Sequence, residues 1–377
     1  MNLLLIALSA CIPLILLVWL LPEKWQMFPV IIATAIFLGF VSPVSLVILT
    51  LTSLITYYVL NSNASQPAAT LVIVIQVSSV LLIFKLQTVL HFDITQNAVL
   101  PLGLSYYSFR QIHYAIEVYK KKMPAHSMGE YLSYLFFLPT LLVGPINLFQ
   151  PFLKDLRKRR WDNLLFSQGL ERILYGLVKI VVIGNYLLTL KLNLFCTSIA
   201  AKHVWLSTYL KVFKFTANAY FQFAGFSDVA IGLSMLFGFK IIENFNYPFL
   251  AKNIAAFWKR WHISLSSWCR EYVFYPFLGI TRNAAISILI SMIVLGIWHE
   301  ISIRYILWGL LHALAINVWH RYEATSWHKK LTIYPILQNA IGVIVTVNFV
   351  MLSFVLISEP SLTDSIKVFQ TLFLLKY

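Results

Sequence analysis

Long apolar runs follow one another along almost the whole chain, and this feature constrains the fold more than any other. About twelve are recognisable, near 2–22, 27–42, 43–60, 69–90, 97–119, 131–149, 170–190, 205–223, 225–243, 283–298, 301–320 and 336–357. A hydrocarbon core about 30 Å thick takes roughly 20 apolar residues per helix. The pattern therefore predicts an all-α protein that crosses a membrane many times.

The composition excludes most other classes. Of 377 residues, 59% are hydrophobic and 11% charged, whereas roughly a quarter of a soluble chain is charged. A soluble enzyme, a disordered chain and a disulfide scaffold therefore do not fit. Without a fixed-period repeat or a low-complexity linker, we predict a single membrane-embedded domain over 1–377, in a multi-pass membrane protein.

The net charge of +15 indicates a membrane surface rather than nucleic acid, because the basic residues lie in short loops between apolar runs. Nothing basic precedes Lys24, which predicts an extracytoplasmic N-terminus. The run 131–149 is flanked by basic clusters at 120–122 and 154–160, and Pro139 and Pro145 interrupt it. We predict that this run enters and leaves on the same side, next to an internal cavity.

The stretch 252–275 is aromatic but too polar to span. Trp258 and Trp261 suit the headgroup zone, and Arg260 lies between them. This predicts one interfacial or re-entrant amphipathic helix. A lipid-anchoring belt without chemistry is the alternative.

Histidines at membrane depth are the strongest candidates for chemistry. His262 lies in the aromatic stretch, His299 and Glu300 close the run 283–298, and His312 lies within the next run. Buried ionisable groups are costly in a membrane and are functional hypotheses by default, and an imidazole can take and return a proton. One histidine alone would more often be structural. Zinc is a rival interpretation, but no HxxxH or HExxH spacing is present, so no metal is predicted.

Polar residues between apolar blocks form a second group of candidates. Asp228, Asn244 and Asn246 are predicted to bind substrate. Asp228 is flanked by Gly225 and Gly232, which allow close helix packing. A packing carboxylate paired with a nearby base is the alternative for Asp228.

Several segments resemble the membrane-bound O-acyltransferases, the MBOAT family. FAGFSDVAIGLSMLFGF (223–239), ENFNYPFLAKNIAAFWKRWHISLSSWCREYVFYPF (243–277) and IVLGIWHE followed by LWGLLHA (293–313) occur in family order, after GLSYYSFRQIHYAIEVY and FFLPTLLVGPI. The resemblance covers roughly 100–320. It is closest to the bacterial branch, which includes the membrane subunits of alginate O-acetylation and teichoic-acid D-alanylation. This branch implies the inner (plasma) membrane as the location.

The resemblance implies about eleven transmembrane helices, plus re-entrant or interfacial helices, around a central tunnel. It implies that His299 is catalytic, that His262 is the second functional histidine, and that His312 matches a less essential one. The bacterial branch usually has Gly after the WH pair. Glu300 stands there in this chain, where it would either orient His299 or cap the helix facing outward.

The resemblance also implies the reaction. An acyl group, with acetyl as the first expectation, would move from a cytoplasmic thioester to a hydroxyl of an extracytoplasmic cell-envelope polysaccharide or glycolipid. The thioester would be acetyl-CoA or an acylated carrier protein, with no bound cofactor. His299 would be the general base, and His262 would hydrogen-bond the acceptor or the oxyanion. Trp258, Arg260 and Trp261 would line the cytoplasmic mouth and hold a phosphorylated pantetheine.

Three alternatives remain open. One is D-alanyl transfer from a carrier protein to a teichoic-acid-like polymer. Another is a lipid-linked sugar transporter or flippase with the embedded His and Asp residues as proton relays, although no inverted repeat is visible. The last is a non-catalytic scaffold for an extracytoplasmic partner acyltransferase.

Overall fold

A computed structural model describes residues 2–62, 65–90, 101–326 and 335–374. For residues 2–10 and 87–90 only the backbone is described. Within these ranges the regular structure is helical, with no strand. The principal helices are α1 Asn2–Leu20, α2 Met27–Val41, α3 Pro43–Leu60, α4 Gln66–Leu90, α5 Leu104–Tyr119, α6 Met128–Leu135, α7 Phe149–Lys158, α8 Asn163–Leu177, α9 Asn193–Ile199, α10 Val204–Leu236, α11 Ile254–Trp258, α12 Ile263–Cys269, α13 Tyr275–Thr281, α14 Ala284–His299, α15 Ile303–Glu323, α16 Pro335–Ser358 and α17 Leu362–Leu372. Two π-helical segments connect helices. Val178–Leu192 joins α8 to α9, and Arg270–Phe274 joins α12 to α13.

Several helices are long and apolar enough to cross a membrane. In the described part of the chain they number five: Glu23–Val41, Pro43–Leu60, Gln66–Leu86, Asn163–Ile199 and Pro335–Ser358. Only 22–33% of the most apolar stretch of each helix is buried inside the protein. Phe40, for example, is 87% exposed. Such outward apolar side chains are what lipid-facing helices require. The protein is membrane-integral, as predicted. The count of eleven spans is not confirmed, and the tunnel and the N-terminal orientation stay predictions.

The chain forms two compact units. The first contains Met1–Gly176 and Phe226–Ile242, and the second contains Leu177–Gly225 and Glu243–Tyr377. Both are described below by their own contacts.

The runs 205–223 and 225–243 were predicted as separate segments, and this was wrong, because α10 continues unbroken from Val204 to Leu236. Gly232, inside this helix, serves close packing as predicted: a Cβ there would lie 2.6 Å from the carbonyl oxygen of Gly169. Small residues of this kind let two helix backbones approach each other.

The run 131–149 is not one continuous helix, and its entry and exit on the same side of the membrane stay a prediction. It contains the short helix α6 and a 3-10 turn at Leu138–Thr140. Glu130 at its start pairs with Arg157 beyond its end at 2.7 Å, so the flanking segments meet. The hydrogen bond from Arg157 holds the pKa of the Glu130 carboxyl below its usual value.

Protein groups satisfy part of the irregular backbone in this run. Arg110 on α5 is completely buried, and its guanidinium donates to the carbonyl of Tyr134 at 3.2 Å and to the carbonyl of Thr140. Non-helical backbone at membrane depth needs such internal partners. A buried arginine therefore explains how this loop persists in the first unit.

Candidate functional site

The loop around His262 breaks the stretch that was predicted as one amphipathic helix. Helix α11 ends at Trp258, and α12 begins at Ile263. His262 lies between them with φ 45° and ψ 54°, in the left-handed region. This conformation costs a non-glycine residue roughly 1–2 kcal/mol and concentrates at functional sites. The single-helix prediction was wrong because no rule of periodicity anticipates a left-handed histidine.

Asn244 orients the His262 ring. Its Oδ1 lies 3.2 Å from His262 Nδ1 and accepts hydrogen bonds from the hydroxyl and the backbone N–H of Ser264, at 2.9 and 3.3 Å. The backbone N–H of Ile263 also donates to the Asn244 carbonyl at 2.9 Å. Because Oδ1 is an acceptor, Nδ1 of His262 must be the donor. The neutral ring therefore carries its proton on Nδ1 and a lone pair on Nε2.

That lone pair has no hydrogen-bond partner among the described residues, although His262 is only 2% exposed. The ring lies edge-on to Phe223, with centroids 4.6 Å apart, and to Trp298 at 6.1 Å. His262 is outside every candidate spanning helix. Burial, together with the charge that His299 can carry, lowers the pKa of His262 to about 3. A buried, neutral nitrogen is therefore available to accept a hydrogen bond.

His299 ends α14 and is exposed. Its ring contacts Trp298, Tyr305 and Trp308, with centroids 4.5, 5.8 and 5.9 Å away. Helices α14 and α15 meet backbone to backbone, since a Cβ on Gly296 would lie 2.3 Å from the Tyr305 carbonyl oxygen. This close approach fixes the end of α14. The hairpin thus presents an accessible imidazole on a rigid support.

His312 is buried in the middle of α15, and both of its ring nitrogens have partners. Trp258 Nε1 donates to Nδ1 at 3.3 Å, and Nε2 lies 2.9 Å from the hydroxyl of Ser353. That hydroxyl donates to Val350, so Nε2 of His312 is the donor in the second bond. His312 therefore links α11, α15 and α16. Its predicted role in binding substrate stays a prediction, and the geometry favours positioning of Trp258.

The aromatic residues beside His262 do not share one environment. Trp261 is only 8% exposed and stacks on Phe257 at 5.4 Å, so it packs in the core rather than in a lipid-facing belt. Trp258 is half-buried against Trp308 at 5.8 Å. The Arg260 carbonyl accepts from the exposed Asn246, whose N–H lies 3.0 Å away. Residues 244–246 and 260–264 are thereby held side by side.

The two predicted carboxylates both face arginines. Glu300 accepts a hydrogen bond from Arg304, one helical turn later, at 3.0 Å. Asp228 belongs to the first unit, whereas the other predicted site residues belong to the second. It is buried and pairs with Arg172 at 2.7 Å.

An apolar cavity of about 690 Å³ lies elsewhere in the second unit. It is lined by the start of α11, the second half of α15 and the start of α16, including Lys252, Tyr322 and Phe349. None of the predicted site residues lines it, although Phe349 packs against His312 at 5.2 Å. In the part of the chain that the structure describes, no group of three His, Cys, Asp or Glu residues could hold a metal ion.

Ser264 and Ser353 were missed by the sequence reasoning. Each hydroxyl sets the hydrogen-bonding role of a candidate residue, Asn244 or His312. Serine is common in helices of every kind, and the partners are 20 and 41 residues away. No local signal identifies them.

Comparison with known proteins confirms the resemblance. The model of the family described as "MBOAT, membrane-bound O-acyltransferase family" matches residues 27–358. The chain belongs to this family. In Pseudomonas aeruginosa, "Probable alginate O-acetylase AlgI" is 30% identical over 283 residues, which are 74% of this chain and 52% of that protein. This MBOAT chain thus spans about half the length of its alginate relatives.

Two further relatives have other acceptors in their names. "Teichoic acid D-alanyltransferase" of Bacillus subtilis is 30% identical over 282 residues, covering 70% of this MBOAT chain and 69% of that protein. "Peptidoglycan O-acetyltransferase" of Helicobacter pylori is 29% identical over 313 residues, covering 74% of this MBOAT chain and 57% of that protein. The names agree on acyl transfer and differ in the acyl group and the acceptor.

Proposed function

We propose that this chain is an acyltransferase, which moves an acyl group from a cytoplasmic thioester to a hydroxyl of an extracytoplasmic cell-envelope polysaccharide or glycolipid. Family membership supports the reaction class. The observation that carries the proposal is the pair of imidazoles in the second unit: His262 with an unpartnered Nε2, and His299 exposed on the hairpin of α14 and α15. Acetyl is the leading acyl group because the alginate and peptidoglycan relatives are named for O-acetylation.

His299 is the general base in this proposal. It removes the proton of the acceptor hydroxyl while the oxygen attacks the thioester carbonyl. The tetrahedral intermediate then collapses, the carbon–sulfur bond breaks, and the departing thiolate takes the proton from His299. General-base assistance contributes roughly 10²–10⁴-fold. Exposure suits His299 to this role, since the acceptor has to reach its ring.

His262 orients the acceptor. Its Nε2 holds a lone pair, because Nδ1–H donates to Asn244, and a lone pair accepts a hydrogen bond from a hydroxyl. Stabilisation of an oxyanion would instead need an N–H at that position. The Asn244 contact therefore favours binding of the acceptor over binding of the oxyanion.

Acetyl-CoA and an acylated carrier protein both present a phosphorylated pantetheine. The Arg260 side chain is half-exposed and pairs with no carboxylate in the described residues, so it is available for a phosphate. A tunnel would let the donor approach from the cytoplasm and the acceptor from the other face of the inner membrane. An extracytoplasmic partner acyltransferase is a further candidate partner.

D-alanyl transfer is the second candidate. The specific observation in its favour is coverage: the match extends over 69% of the Bacillus subtilis protein but 52% of the Pseudomonas aeruginosa one. The transporter alternative needs embedded residues such as Asp228 as proton relays. The pairing of Asp228 with Arg172 counts against that role.

The donor assay tests the proposal. Purified protein in detergent is given labelled acetyl-CoA, or D-alanine esterified to a carrier protein, together with cell-envelope polymer as acceptor. We expect labelled acetyl on the polymer and none from the D-alanyl carrier. The opposite pattern would favour the second candidate. Failure of both donors in envelope membranes that retain the partner proteins would contradict acyl transfer.

A further inference from the structure

A second cavity, of about 770 Å³, lies in the first unit where α7 ends and α8 begins. Its lining is strongly basic, with Lys154, Lys158, Arg159, Arg160 and Lys240 against only Asp155 and Asp162. None of the residues discussed for acyl transfer contributes to it.

The two carboxylates are occupied by backbone groups. Asp155 accepts a hydrogen bond from the backbone N–H of Lys240 at 2.9 Å. Asp162 accepts from the first turn of α8, from Leu164 at 2.9 Å and Leu165 at 3.1 Å. These bonds hold the walls of the cavity in place.

The basic side chains at the rim are not paired with carboxylates. Lys154, Lys158, Arg160 and Lys240 are exposed, and none of them forms an ion pair with a described residue. Several like charges around one cavity repel each other, and a bound anion relieves this repulsion. The charge around the rim therefore favours a negatively charged occupant.

Arg159 gives the cavity a rigid floor. It is 9% exposed, donates to the carbonyl of Phe237 at 3.0 Å and to Gln26 at 2.7 Å, and lies 5.2 Å from the Phe239 ring centroid. Burial lowers the pKa of Arg159 to about 10, so it remains charged at neutral pH. A fixed buried cation adds to the positive potential beneath the exposed lysines.

The cavity also lies at the start of a helix that is long and apolar enough to cross a membrane. The spanning candidate Asn163–Ile199 begins at its edge. Two apolar side chains of the lining, Trp161 and Leu164, are 51% and 67% exposed. Tryptophan concentrates at headgroup level, and basic pockets next to spanning helices suit lipid phosphates.

We propose that this cavity binds the phosphate of an anionic lipid headgroup such as that of phosphatidylglycerol. Lys154, Lys158, Arg160 and Lys240 surround the phosphate, while Trp161 and Leu164 contact the glycerol and the first methylenes. Soluble phosphorylated molecules share the phosphate chemistry. The exposed apolar pair favours a lipid, because a soluble phosphate would gain nothing from it.

The test is binding of defined lipids to the full chain in detergent, by native mass spectrometry and thermal unfolding. The probes are phosphatidylglycerol, phosphatidylcholine with the same acyl chains, and adenosine 3′,5′-bisphosphate as the soluble phosphate. The variant is Lys154→Gln/Lys158→Gln. The matched control is Lys202→Gln/Lys211→Gln, which removes the same charge from exposed lysines of the second unit.

We expect phosphatidylglycerol to bind the wild type and the control alike, and to bind the Lys154/Lys158 variant about tenfold to thirtyfold more weakly. The double change to arginine should restore binding. Equal affinity of both glutamine variants, or equal binding of phosphatidylcholine and phosphatidylglycerol, would overturn the site. Saturation by the bisphosphate without any response to phosphatidylglycerol would overturn the assignment to lipid.

Discussion

The imidazole of His262 is tied to Asn244 by a 3.2 Å hydrogen bond across 18 residues of sequence. The same amide oxygen is held by Ser264, so the bond sets which ring nitrogen carries the proton. A fixed tautomer on a strained left-handed residue is an expensive arrangement for a group that only fills space. It is well suited to a group that must present a lone pair in one direction.

Asn244→Ala should lower kcat by roughly tenfold to a hundredfold with little change in KM for the donor, since the ring would lose its orienting partner. The pH profile should shift as well, because the tautomer would no longer be fixed. The control is Asn193→Ala, which removes an exposed side chain of the same unit that accepts a hydrogen bond from Lys214. If both variants behaved alike, Asn244 would have no special role.

Glu300→Gln distinguishes the two interpretations of the residue after the WH pair. The carboxylate faces Arg304 at 3.0 Å, and its side chain is 42% exposed. Partly exposed pairs of this kind contribute only about 0–1 kcal/mol. We expect activity within about threefold of the wild type and a small change in thermal stability. A loss of activity comparable to that of a His299 variant would mean that Glu300 assists the base directly.

The sequence alone located the imidazoles but not their relationship. Histidines in apolar surroundings stand out against the cost of burying them, so His262, His299 and His312 were all identified. Their different states depend on partners far along the chain: Asn244 for His262, and Ser353 for His312. Contacts of that range leave no periodic signal.

His312→Ala should act mainly on stability. It would leave the indole N–H of Trp258 and the hydroxyl of Ser353 without their present partner and would open a void in α15. We expect the free energy of unfolding to fall by about 2–4 kcal/mol, with activity largely kept at temperatures where the protein stays folded. Leu314→Ala, on the exposed side of the same helix, is the control. Normal stability with lost activity would instead place His312 in the reaction.

Asp228→Asn should destabilise the first unit, because it leaves Arg172 without its buried counter-charge. The side chain of Arg172 is 30% exposed, so the cost should lie below that of a fully buried pair, at about 1–3 kcal/mol. A double-mutant cycle with Arg172→Gln measures the coupling between the two side chains. A coupling near zero together with lost activity would support substrate binding by Asp228.

The helices, like the histidines, were predictable from sequence where local composition determines them and not where distant contacts do. The runs 27–42 and 43–60 match α2 and α3 closely, since a span is a local property of apolar composition. The failures lie where packing overrides composition. The runs 205–223 and 225–243 form the single helix α10, in which Gly232 packs against Gly169. His262 interrupts the other predicted helix in a left-handed turn that is bonded to Asn244.

The most direct test of the central claim is acyl transfer by purified His299→Ala protein. The control is His203→Ala, which removes an exposed histidine of the same unit. With equal amounts of folded protein and labelled acetyl-CoA as donor, His299→Ala should lose at least about a hundredfold in transfer rate, while His203→Ala should match the wild type. Retained transfer by folded His299→Ala would contradict the assignment of His299 as the general base.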